Sequence, residues 1–129
     1  MKKLPKNHRS KCPLSGFLDV LGDKWSLLII RDMMFNGKNT FGDFLKSPEG
    51  IATNILTSRL ITLEENGFIE KLKNPENKKV PIYKLTRKGQ ELKPTLVEVY
   101  LWTDKYFPIP RDIKVQILEI KKSRKLGRS

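Results

Sequence analysis

The sequence predicts an α+β fold that is mainly helical: a helix-turn-helix running directly into a two-stranded hairpin, with further helices on both flanks. Three observations carry that expectation. Apolar residues recur at helical spacing over most of residues 12–65 and again over 86–107. Two short periodic segments, about 41–46 and 52–65, are joined by the tight connection Ser47-Pro48-Glu49-Gly50. Two strand-like runs, FIEKL (Phe68–Leu72) and PIYKL (Pro81–Leu85), bracket the turn-rich NPENKK. With 129 residues the chain suffices for one compact domain and falls short of two ordinary ones.

Each element follows from local chemistry. Pro13 suits the first position of a helix running to about Leu21, with Leu14, Phe17, Leu18 and Leu21 at i, i+3, i+4, i+7. Gly22 ends it, and Asp23 can cap a second helix from Lys24 to about Phe35, which is apolar on most sides and belongs in the core. Asn36-Gly37 marks a turn, and Thr40 caps the short helix Phe41 to about Lys46. The next helix, about Ala52 to Glu65, stops at Asn66-Gly67. Pro81 fits the first residue of a strand or an edge. A helix-turn-helix followed at once by a hairpin is the winged-helix arrangement, the hairpin being the wing. Thr86 then caps a single long helix to about Phe107, closed by Pro108 and Pro110. Segment 110–120 fits either period: Ile113/Ile117/Ile120 suits a helix and Ile113/Val115/Ile117 a strand. The organisation expected is a basic N-terminal arm (1–11), the winged-helix domain (12–107) and a C-terminal extension with a basic tail (108–129).

Composition excludes several classes. Hydrophobic residues at 38% and charged residues at 31% suit a globular domain. No apolar run approaches the roughly 20 residues of a membrane span, and the start MKKLPKNHRSKCP lacks the apolar block of a secretory signal. A cytoplasmic location with no membrane partner is expected. One cysteine, Cys12, rules out an internal disulfide framework and a multi-cysteine zinc site. The single histidine, His8, has no ligand-spaced partners, and no glycine-rich phosphate loop follows a strand. Carboxylates are scattered singly except Glu64-Glu65, which diverge on a helix. No enzyme activity, metal or cofactor is expected.

The net charge of +12 is unevenly placed. Residues 1–11 and 121–129 each hold five Lys/Arg and no acid, so the remaining sixteen basic residues face fourteen acids, a net +2 for 12–120. Within that core, residues 71–88 carry Lys71, Lys73, Lys78, Lys79, Lys84, Arg87 and Lys88 against Glu76 alone, a local +6. Such concentration on one short segment is the electrostatic footprint of a polyanion-binding surface.

The helix at 52–65 matches it. Projected at 100° per residue, Ala52, Ile55, Leu56, Leu60 and Leu63 fall on one core-facing arc. Asn54 and Ser58 point nearly opposite, with Thr57 beside them and Thr53 on the border. These groups are short, uncharged and able to donate and accept, as a helix in a DNA major groove requires. They are poorer helix formers than Glu or Lys by a few tenths of a kcal/mol each, so local stability does not explain them. Thr53, Asn54, Thr57 and Ser58 are therefore candidates for base reading. Lys73, Lys78 and Lys79 on the hairpin are candidates for backbone phosphates, as is Lys24 at a helix N-terminus with its exposed amides. Arg59 projects into the core arc, so its guanidinium must reach along the helix edge to a phosphate or an internal carboxylate. Ile61 projects outward without a groove role. The last helix carries Leu92, Leu96, Val97, Val99, Tyr100, Leu101, Trp102, Tyr106 and Phe107 around most of its circumference, which points to a second subunit rather than to cover by the C-terminal segment.

The segments CPLSGFLDVLGDKWSLLIIRDM, TFGDF, GIATNILTSRLITLEENGFIEK and PIYKLTRKGQEL, with the late Trp102, together resemble the HxlR-type winged helix-turn-helix transcriptional regulators, bacterial proteins related to the MarR type. The resemblance spans about residues 12–107. It implies a homodimer built on the first and last helices, placing Leu14, Phe17, Leu18, Val99, Tyr100, Trp102 and Phe107 at the interface, and two recognition helices on a pseudo-palindromic double-stranded DNA operator. Where such proteins often carry Ser then Gln or Lys after the Ile, this chain has Ala52, Thr53 and Asn54, which implies a different operator preference and an N-cap without a hydroxyl. Cys12 matches the N-terminal cysteine at which some members sense oxidants or electrophiles. A helix N-terminus with Arg9 and Lys11 nearby favours a thiolate, while the alternative is an inert small residue packed at the dimer interface. The competing functional class is a winged-helix module that binds protein, or DNA without sequence preference.

Overall fold

A computed structural model describes residues 8–126. Helix α1, Pro13–Leu21, begins at Pro13, with Cys12 as the extended N-cap residue. Helix α2 spans Ser26–Phe35. It starts two residues later than Lys24, with Trp25 rather than Asp23 as its N-cap residue. Asp23 instead ties down the turn before it, its Oδ2 accepting from the amides of Trp25 and Ser26, both at 3.0 Å, and its Oδ1 from Ser26 Oγ at 2.6 Å. Helix α3, Phe41–Leu45, opens on a reciprocal capping box between Thr40 and Asp43. Helix α4, Thr53–Glu65, follows the turn through Gly50, whose φ of 72° is the left-handed region that glycine enters without cost.

The wing pairs β1, Ile69–Leu72, antiparallel with β2, Ile82–Leu85. Phe68 and Pro81, expected inside the strands, flank them instead. Pro81 has no N–H to give a ladder, whereas Phe68 accepts from Thr86 N at 3.0 Å just beyond the paired residues. The register sets Ile69 opposite Leu85, both buried, and Glu70 opposite Lys84, both exposed. The backbone amide of Tyr83 donates to Asn39 O at 2.8 Å, tying the hairpin to the α2–α3 connection.

The single helix expected from Thr86 to Phe107 is two helices, α5 (Arg87–Gln90) and α6 (Lys93–Tyr106). Pro94 is the cause. In an unbroken helix its ring would collide with the carbonyl of Gln90, whereas at the start of a new helix it is accommodated. Thr86 does cap α5, accepting from Gly89 N at 3.2 Å while donating to Gly67 O at 2.5 Å. Segment 110–120, which fitted either period, is helical: α7 covers Arg111–Leu126.

The chain divides into two compact units, Met1–Gln90 and Glu91–Ser129. In the first, Ile30, Phe44, Leu56, Leu63 and Ile69 are almost fully buried, each side chain contributing roughly 1.5–3 kcal/mol by leaving water. In the second, α6 packs on α7. No helix of the described residues is long and apolar enough to cross a membrane.

Candidate nucleic-acid interface

Three groups of contacts fix α4. Leu56, Leu60 and Leu63 are buried as the projection required, Ile55 is half-buried, and Ala52, expected on the same face, is exposed as the N-cap residue. A side-chain anchor holds the other edge. Arg59, placed on the core side, takes the internal carboxylate: its Nη1 lies 3.7 Å from Asp23 Oδ1 and its Nη2 donates to Ser58 Oγ at 3.1 Å. Partial burial raises the Asp23 carboxyl, but the bonds from Ser26 and the Trp25 and Ser26 amides, with Arg59 beside it, hold it below the ordinary carboxylate range.

The third group is a polar network beneath the turn that precedes α4. Asp32 is 2% exposed. It accepts from Arg31 Nη2 at 2.9 Å and Nε at 3.1 Å, from Asn36 Nδ2 at 2.9 Å and from Ser47 Oγ. Lys38 Nζ stands 4.0 Å away and donates to Ser47 Oγ at 3.0 Å. Arg31 also grips Glu49 through two bonds of 2.7 and 2.8 Å, which keep the Glu49 carboxyl below its ordinary value and raise the guanidinium's. Ser47 and Glu49 both lie in the α3–α4 turn, so α2 clamps the entry to α4 by charge-assisted bonds. Sequence reasoning missed Arg31, Asp32 and Glu49; the available signal was a charged pair inside an otherwise apolar helix, which a buried position tolerates only if it is fully bonded.

On this frame the expected base readers are presented together. Thr53, Asn54, Thr57 and Ser58 are all exposed on α4, and no acidic residue occupies its first turn. Thr57 Oγ1 donates to Thr53 O at 3.0 Å. Ile61 lies on the same outward side, half exposed.

The wing presents Lys73, Lys78 and Lys79, all exposed, on a tip shaped by two side-chain turns: Asn74 Oδ1 accepts from Glu76 N at 3.0 Å and Asn77 Oδ1 from Lys79 N at 3.1 Å. Lys88, part of the same basic run, is spent internally, donating to Asn66 O at 2.7 Å and standing 4.6 Å from the Phe68 ring centre. Lys24 is exposed, 5.9 Å from the Trp25 ring centre. The free amides expected beside it are not free, since Asp23 already bonds those of Trp25 and Ser26.

Residues 20–110 match the model of the HxlR-like helix-turn-helix family. The chain belongs to that family. Its relatives include an uncharacterised HTH-type transcriptional regulator of the cyanobacterium Synechocystis, sll1512, 36% identical over 69% of this chain and 65% of that one. The chain therefore spans just under two thirds of that relative's length. Among solved structures, PA1607 superposes with a TM-score of 0.70 at 42% identity, over 80% of this chain and 70% of that one. The transcriptional regulator YodB from Bacillus subtilis, in reduced form, gives 0.61 at 30% identity, over 75% and 95%; it has also been solved quinone-bound and diamide-treated. Within the HxlR-like frame α4 is the second helix of the helix-turn-helix and the β1–β2 hairpin its wing.

The residues expected at a dimer interface differ in accessibility. Leu14, Leu18, Val99, Trp102 and Phe107 are exposed, Leu14 by 64% and Trp102 by 57%, while Phe17 and Tyr100 are half-buried. On α6, Trp102 stacks obliquely with Tyr106 at 5.2 Å and Phe107 at 6.2 Å between ring centres, so a continuous aromatic surface faces outward. Cys12 is free and exposed at the start of α1.

Proposed function

We propose that this HxlR-like chain is a sequence-specific double-stranded DNA-binding transcriptional regulator, working as a homodimer in the cytoplasm. The observation that carries the proposal is the exposed Thr53/Asn54/Thr57/Ser58 face on a helix whose other sides are immobilised by buried leucines and by Arg59–Asp23. Groove reading needs short, uncharged donors and acceptors on a rigid support. Lys73, Lys78 and Lys79 follow the phosphate backbone, as does Lys24, acting through its own charge alone. Arg59 supports α4 through Asp23 and is not assigned to a phosphate.

Dimerisation is supported by exposed apolar side chains on α1 (Leu14, Leu18, with half-buried Phe17) and, separately, on α6 and its C-cap (Val99, Trp102, Phe107, with half-buried Tyr100), each a surface of the kind that marks an interaction site. Two copies of α4 then read two half-sites of a pseudo-palindrome. Footprinting on the DNA flanking the chain's own gene tests this. Two protected half-sites about one helical turn apart are expected; uniform weak protection on every fragment overturns sequence-specific binding.

The regulator is proposed to respond to oxidants or electrophiles at Cys12. The thiol is accessible, and the similar YodB has been solved with a quinone and after diamide treatment. A Cys12→Ser variant should bind the operator normally and ignore diamide and quinones. A wild-type chain indifferent to both reagents refutes this part alone.

A further inference from the structure

Resting on the assignment of α4 as the base-reading helix, we infer that its two central hydroxyls have opposite hydrogen-bond polarity: Thr57 reads as an acceptor and Ser58 as a donor. The assignment follows from chemistry that leaves no choice of direction. The partner of Thr57 Oγ1 is the carbonyl oxygen of Thr53 at 3.0 Å, and a carbonyl only accepts, so the Thr57 proton is committed to the helix. What Thr57 offers outward is a lone pair and a methyl group. The partner of Ser58 Oγ is Arg59 Nη2 at 3.1 Å, and a guanidinium only donates. One Ser58 lone pair is therefore occupied and its own proton is free to point away from the protein. Asp23 holds this polarity at one remove, since its Oδ1 lies 3.7 Å from Arg59 Nη1 and keeps the guanidinium beside Ser58. Arg59 is thus a positioning residue for base discrimination.

The major groove presents one kind of donor, the exocyclic amine of adenine or cytosine, and acceptors at purine N7, guanine O6 and thymine O4. Thr57 accordingly takes an amine and Ser58 one of the acceptors. Asn54, with an amide that does both, carries no such restriction.

The experiment uses the full chain and the best double-stranded sequence selected from a random pool. Each half-site is scanned with single base analogues that either delete the amine (purine for adenine, pyrimidin-2-one for cytosine) or weaken the acceptor (7-deazapurines, thio-substituted guanine and thymine). At one position amine deletion should weaken wild-type binding about tenfold and leave Thr57→Val untouched, since one good base contact is worth about 1–3 kcal/mol. At another position removal of the acceptor should weaken the wild type similarly and leave Ser58→Ala untouched. Arg59→Met should blunt discrimination at the Ser58 position severalfold while preserving it at the Thr57 position, a change that general loosening of α4 would not produce. Affinity of the 57 and 58 variants for unselected DNA, which mainly reports folding and phosphate binding, should fall far less than their affinity for the selected sequence. The inference is overturned if the two variants become insensitive to the opposite analogue class, or if both keep wild-type sensitivity. A random pool from which the wild type selects no sequence overturns the DNA-reading assignment itself and this inference with it.

Discussion

Replacing Asp32 with alanine should destabilise the chain by about 3–4 kcal/mol without touching any residue proposed to meet DNA. The carboxylate is 2% exposed and receives Arg31, Asn36 and Ser47, with Lys38 at 4.0 Å. After the change Arg31 keeps its two bonds to Glu49 and Lys38 keeps Ser47 Oγ. The partly buried Ser47 hydroxyl is deprived of a charged acceptor, at about 1–3 kcal/mol, while the exposed Asn36 amide turns to water. Arg31, with 18% of its side chain accessible, is left with one of its two counter-charges in a largely buried setting, which brings the total toward the 3–5 kcal/mol of a broken buried pair. Urea unfolding followed by far-UV circular dichroism measures this, with the slope m unchanged if only the native state is affected. Operator affinity should fall with it even below the melting range, because Ser47 and Glu49 set the turn from which α4 starts. A destabilisation under about 1 kcal/mol would refute the claim that this network, rather than the leucine face alone, seats the helix-turn-helix.

Gly89→Ala should cost about 1–3 kcal/mol or more by the same assay, because a Cβ there would lie 2.3 Å from Phe68 O and 2.9 Å from Leu85 Cδ2, and the backbone atom cannot step aside. Thermal stability should decline on acidification: Glu49 and Asp23 are held below their ordinary values of 4.5 and 3.8. Their contribution is therefore complete above those values and disappears as the pH falls through the lower folded-state ones. A Glu49→Gln variant should show a shallower decline over that range, and an unchanged profile would count against the Arg31–Glu49 pair. Replacing Lys78 and Lys79 with alanine should weaken operator and unselected DNA alike. It should also flatten the dependence of log K on log salt by about 0.9 for each phosphate no longer neutralised. Weakening confined to one operator would place those lysines at bases instead.

Most of the fold was legible because the signals were local. Asn36-Gly37, Glu49-Gly50 and Asn66-Gly67 were recognisable as chain reversals, and all three glycines have φ between 64° and 77°. The leucine periodicity of α4 gave its buried side, and the Thr40 cap gave the start of α3, while Asp23 placed the start of α2 two residues early. What escaped was non-local or needed one residue to veto a pattern. Pro94 splits a periodic run that otherwise looks continuous. Asp32 sits in an apolar helix where its partners come from residues 4 and 15 positions away, Asn36 and Ser47, and nothing in the spacing announces them. The direction of the Arg59 side chain was undecided until Asp23, 36 positions earlier in the chain, came within 3.7 Å of it.

The composition of α4 makes sense only once its stability is located. Its N-cap is Ala52, with no side-chain bond to the first amides, and its first turn carries no acid. By local rules each omission costs a few tenths to about 1 kcal/mol. Its outward positions hold Thr, Asn and Ser, which add a few tenths more apiece. An isolated peptide of this sequence would be a poor helix. The helix persists because three buried leucines, the Arg59–Asp23 pair and the clamped turn before it supply the stability from the opposite side. That division frees the exposed face from any duty to the fold. A carboxylate at Asn54 or Thr53 would improve the local helix and would repel phosphate. The chain omits the stabilising charge at the positions where a polyanion would meet it, and keeps Glu64 and Glu65 at the far end of the helix, three turns away.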